Sequence, residues 1–126
     1  MRAVDTNILV RLLTRDDEQQ VELAEAFVER GGWVSHLVLA ETTWVLGAAY
    51  DLSHAAIATA VGMLLDHRTL AVEDADVVSL ALSHYRRKPT LGFSDCLVLE
   101  IARKAGHLPL GTFDKSQSKL DGVERL

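Results

Sequence analysis

Met1-Arg2-Ala3-Val4-Asp5-Thr6-Asn7-Ile8-Leu9-Val10-Arg11-Leu12-Leu13-Thr14 is the stretch whose reading decides the fold. Residues 1–5 are short and strand-like. From Thr6 onward the apolar positions Ile8, Leu9, Leu12 and Leu13 recur at helical spacing, which predicts a helix over residues 6–14. The same alternation runs through the rest of the chain. Asp16 stands where it can cap a helix over residues 17–30, which Gly31-Gly32 stops. A strand at 33–35 leads into a helix over 36–50, and Ser53 caps another through 65. Residues 69–72 are strand-like, 74–85 helical, and 88–92 a breaker region. Ser94 is placed to cap a helix that ends near Gly106, and 108–113 and 123–126 complete the strands. Strands alternating with helices imply an α/β fold, a three-layer α/β/α sandwich around a mostly parallel central sheet. With no repeat, linker or low-complexity tract, residues 1–126 read as a single domain.

Composition narrows the function classes. The chain is 48% hydrophobic and 25% charged, an ordinary globular balance. No apolar run approaches the roughly 18 residues of a membrane span, and no secretion signal is visible. One cysteine, Cys96, permits no internal disulfide and fits a reducing cytoplasm. Net charge is −5, with four Arg against nine acids in residues 1–63 and nine Lys/Arg against nine acids in 64–126. That acidity excludes a simple basic nucleic-acid module. It leaves a local basic track from Arg86, Arg87, Lys88, Arg103, Lys104, Lys115 and Lys119, each of which also reads as ordinary solvated surface.

Four carboxylates stand out against this apolar background. Asp5 and Asp114 fall where strand-like runs end, Glu41 lies inside Val38-Leu39-Ala40-Glu41-Thr42-Thr43-Trp44-Val45-Leu46, and Asp95 opens Ser94-Asp95-Cys96-Leu97-Val98-Leu99. A buried carboxylate is costly unless paired, protonated or bound to a metal. Several at the carboxyl edge of one sheet would hold a hard cation. Each also has a plainer reading. Asp5 is a good N-cap, Asp95 suits the first turn of a helix, and Asp114 suits a turn. Glu41 is the hardest to dismiss. Its helical neighbours Leu37, Val38, Trp44 and Val45 are all apolar, so the spacing points it towards the core or a cleft. Other chemistries lack their residues. The five histidines show no zinc spacing, there is no second cysteine, and neither a phosphate loop nor a nucleophile elbow occurs.

Val4-Asp5-Thr6-Asn7, Leu39-Ala40-Glu41, Phe93-Ser94-Asp95 and Thr112-Phe113-Asp114-Lys115, in this order over the whole chain, resemble the PIN-domain ribonucleases. The size is most similar to the VapC-type toxins of bacterial toxin–antitoxin pairs. The resemblance implies that Asp5, Glu41, Asp95 and Asp114 form a pocket for Mg²⁺ or Mn²⁺, with Asn7 and Thr112 as polar supports. It implies metal-dependent endonucleolytic cleavage of RNA, a cognate antitoxin as partner and a homodimer. Many relatives carry a further acid where this chain has Ser116, which bears on a second metal position. Arg86, Arg87, Lys88 and Lys115 are the expected RNA contacts. Two other functions remain open. A phosphohydrolase of small esters would want Asp-x-Asp after the first strand, where Asn7 stands instead; a non-catalytic binding module would have no need of four acids.

Overall fold

The computed structural model describes every residue, Met1–Leu126, and these group into two compact units, Met1–Ala75 and Asp76–Leu126. In the first, residues 2–4 run beside β1 (Gly32–Val34). Trp33 N–H donates to the Arg2 carbonyl at 2.8 Å and Val4 N–H to the Trp33 carbonyl at 3.0 Å. The expected opening strand is thus reduced to one parallel bridge at Ala3. Gly32 is demanded by this close approach, because a Cβ there would sit 2.9 Å from Val4 Cγ1. β1 pairs in parallel with β2 (Leu70–Val72), Gly32 opposite Leu70 and Val34 opposite Val72.

The helices of this unit start at well-formed caps. α1 (Thr6–Thr14) begins at Asp5, α3 (His36–Ala48) at Ser35 and α4 (His54–Asp66) at Ser53, whose hydroxyl accepts from Ala56 N–H. α2 (Glu18–Val28) is capped by Asp17, which accepts from Gln20 N–H at 3.0 Å, and not by Asp16 as the sequence suggested. The Asp16 carboxylate is taken by Thr14, Tyr50 and Arg11 at 2.8–2.9 Å, and the first two of these hydrogen bonds hold its pKa below the ordinary carboxylate range. Leu9, Val34, Leu39, Leu46 and Val61 are fully buried and form the centre of the unit's core.

From Asp76 on, the second unit contains all but the first residue of α5 (Ala75–Arg87), then α6 (Phe93–Ala105), β3 (Leu110–Thr112), a 3₁₀ turn (Gln117–Lys119) and β4 (Val123–Arg125). β3 and β4 are parallel, Leu110 opposite Val123 and Thr112 opposite Arg125. α5 runs two residues past the expected boundary, so Arg86 and Arg87 lie in its last turn rather than in a breaker loop. There the helix dipole already favours positive charge. α6 is capped at Gly92 rather than at Ser94, and ends on Gly106 in the left-handed region (φ +85°), as the sequence indicated. Tyr85 and Phe93 meet edge to face at 5.8 Å, and Val78, Cys96 and Leu99 fill the core beneath. Burial above all, with Asp95 and Glu100 nearby, pushes the Cys96 thiol up to about 12, which makes it an inert core residue. The α/β class with parallel pairing therefore holds, as two hydrogen-bonded ladders, one in each unit. No helix is long and apolar enough to cross a membrane.

Candidate metal centre

Asp5 sits at the strand-to-helix switch that opens the chain. Its backbone is extended, and its Oδ1 accepts from Thr6 N–H at 2.7 Å. The side chain is exposed and Oδ2 is left without a protein partner. Asn7 follows in the first turn of α1, also exposed, at the rim of an α1–α2 groove with Ile8, Arg11, Leu23 and Phe27.

α1 packs on α3, the helix that carries Glu41. Here the sequence expectation fails: Glu41 does not face the core. α3 buries Leu39, Thr42, Thr43 and Leu46, and turns Leu37, Glu41, Trp44 and Ala48 outward at spacings of four, three and four. The two buried threonines are affordable inside because their hydroxyls donate back to the carbonyls of Val38 (2.7 Å) and Ala40 (2.8 Å). Leu37 is 76% and Trp44 71% exposed, so Glu41 lies on an outward apolar stripe, held by no hydrogen bond or ion pair.

The two acids of the second unit are bound more tightly. Asp95, half-buried in the first turn of α6, accepts from Gly92 N–H through Oδ2 at 3.0 Å and so caps its own helix. Asp114, exposed after β3, accepts from Gln117 N–H through Oδ1 at 2.9 Å, while its own N–H donates to Thr112 Oγ1 at 3.0 Å. Gln117 joins the two positions. Its amide oxygen accepts from Thr112 Oγ1 at 2.8 Å and its amide nitrogen donates to the Asp95 carbonyl at 3.1 Å. Thr112 is thus a support, as expected, and the buried Gln117 is the residue that sequence reasoning missed. The signal was present in Asp114-Lys115-Ser116-Gln117, an acid three residues before a backbone N–H it can cap.

None of the four acids is buried, so desolvation is not what marks them. Their common feature is geometric. Asp5, Asp95 and Asp114 each spend one carboxylate oxygen on a local backbone N–H and keep the other free. A carboxylate oriented in this way is a suitable hard-cation ligand, because its rotamer is fixed before the ion arrives.

Two further groups were not anticipated. Glu100 is 2% exposed and pairs with His84 Nε2 at 3.0 Å and Arg103 Nε at 3.2 Å. Its place among Cys96, Leu97 and Leu99 is the same acid-among-apolars signal that was read at Glu41. The donor atoms of His36, Glu73 and Asp74 lie within 4.8 Å of one another, yet Glu73 Oε1 already accepts from His36 N–H at 2.8 Å and helps cap α3. Of the expected RNA contacts, Arg87 is tied to Ser83 at 2.7 Å, while the Lys115 ammonium is exposed and unpaired.

A strand-to-helix acid, a helical acid, a helix-capping acid and a turn acid in this order accompany a match of the PIN domain model to residues 2–123. The chain belongs to the PIN domain family. That family is one of metal-dependent nuclease-type folds. No curated protein and no solved structure matches the chain.

Proposed function

We propose that this chain is a Mg²⁺- or Mn²⁺-dependent endoribonuclease and the toxin of a toxin–antitoxin pair, acting in the cytoplasm. The observation that carries the reading is the PIN domain match over residues 2–123, and Asp5, Asp95 and Asp114, each bonded on one oxygen and open on the other, are the carboxylates the reaction would use. Each of them, like Glu41, carries an anionic oxygen of the kind that a hard divalent cation prefers. A bound cation supplies a water of lowered pKa and neutralises charge on the phosphodiester. The chain's own part is positioning. Gln117 and Thr112 hold Asp114 at a fixed place after β3, Gly92 holds Asp95, Asn7 offers an amide beside Asp5, and Lys115 offers an unpaired ammonium to a phosphate. The outward apolar stripe of Leu37 and Trp44 gives a homodimer partner or an antitoxin protein a surface to cover.

The test is direct. Purified protein with structured RNA should yield fragments in Mg²⁺ or Mn²⁺ and none in chelator, and should leave a small chromogenic phosphate ester intact. Hydrolysis of the ester alone would favour the phosphohydrolase reading, and inertness towards both would favour a binding module.

A further inference from the structure

Phe113 is 80% exposed, tied with Met1 as the most exposed large hydrophobic residue of the chain. It does not sit in a loose loop. On one side the Thr112 carbonyl accepts from Leu126 N–H at 2.8 Å, and on the other Asp114 N–H is held by Thr112 Oγ1 at 3.0 Å. Thr112 and Asp114 are further locked through Gln117, so the backbone is pinned on both sides of the ring. An apolar ring held out in water between two residues of a proposed site forgoes burial that a freer segment could recover.

The surroundings of the ring select its partner. A protein-docking face needs a broad apolar patch, such as the Leu37–Trp44 stripe of α3. Phe113 has instead Asp114 and the unpaired Lys115 as its next neighbours in sequence, both exposed. A flat exposed ring two residues before an unpaired cation suits a single nucleotide. The ring takes the face of an unpaired base, and the ammonium takes a phosphate.

We propose that Phe113 is a base-stacking platform that positions an unpaired nucleotide next to the phosphodiester to be cut. This rests on the ribonuclease reading above. Phe113 is a positioning residue, and its loss should raise KM while leaving kcat nearly unchanged.

The experiment uses the full chain carrying Asp5→Asn, to prevent cleavage, and a labelled single-stranded RNA of random sequence, followed by fluorescence anisotropy in Mg²⁺. Phe113→Ala and Phe113→Leu should each weaken binding by roughly five- to a hundredfold, and Phe113→Trp should retain it. The leucine variant separates stacking from simple hydrophobic contact. An abasic chain of equal length should bind all four proteins alike. In the active background, Phe113→Ala should raise KM by a similar factor. Leucine binding as well as phenylalanine, or an unchanged KM in a protein that cuts RNA, overturns the stacking proposal alone. A wild-type protein that neither binds nor cuts RNA overturns the ribonuclease reading, and the proposal with it.

Discussion

The two units hold their acids in different ways. In the second unit Asp95 and Asp114 are members of one hydrogen-bonded array, with Gln117 bonded to the backbone of the first and capped by the carboxylate of the second. In the first unit Asp5 is fixed only by its own cap, and Glu41 extends from α3 with nothing to hold it. The contrast separates carboxylates that the fold orients from one whose orientation would have to come from a bound partner. An acid fixed in advance costs little entropy when it takes a cation, whereas a free glutamate costs about 1–2 kcal/mol of rotamer freedom.

The sharpest way to break this comparison is through the two glutamates that carry the same sequence signal. Arg103→Met leaves the buried Glu100 with His84 alone and should lower stability by about 3 kcal/mol. Glu41→Ala should stay within about 0.5 kcal/mol of wild type. Urea unfolding of both variants measures the difference. Equal effects would erase the distinction between a structural and a ligand-directed acid.

Next in size is Gln117→Ala, which removes the donor to the Asp95 carbonyl and the acceptor for Thr112. A stability loss of about 1–3 kcal/mol is expected from the groups left unsatisfied. Cleavage should fall by about ten- to a hundredfold, as for other residues that orient metal ligands. A drop in stability at full cleavage rate would mean that the array does not orient Asp95 and Asp114 for chemistry.

A further effect, confined to alkaline conditions, is on pH dependence. Cys96 ionises near 9.0 when unfolded and at about 12 when folded, so the folded state keeps a proton that the unfolded state releases. The thiol's contribution is therefore fully present below pH 9.0 and is lost as pH rises towards 12. Cys96→Ala should flatten the fall in melting temperature over that alkaline window, and the native thiol should resist alkylation at neutral pH.

Much of the fold was legible because its signals are local. The helical spacing of Ile8, Leu9, Leu12 and Leu13, the cap at Ser53, and Gly106 at the end of α6 depend on neighbours within one or two turns. The failures came from competition between near-equivalent partners. Asp16 and Asp17 both suit a cap, and Arg11, together with Tyr50 from a distant part of the sequence, drew Asp16 away. Glu41 and Glu100 both sit among apolar residues, but α3 is apolar on two faces, so periodicity there carries no direction. The buried position went to Glu100, which finds Arg103 one turn on and His84 on a different helix. The candidate acids were legible as residues and in order. Their orientation was not, because Gln117 reaches Asp95 across 22 residues of sequence.

The proposed ribonuclease activity requires the free carboxylate oxygens of Asp5 and Asp95. Asp5→Asn and Asp95→Asn test it most directly, because asparagine keeps a capping oxygen and loses the anionic one. Initial rates of RNA cleavage in saturating Mg²⁺ should fall by about a hundredfold or more in each variant, with melting temperatures close to wild type. Wild-type rates in either variant would contradict the account.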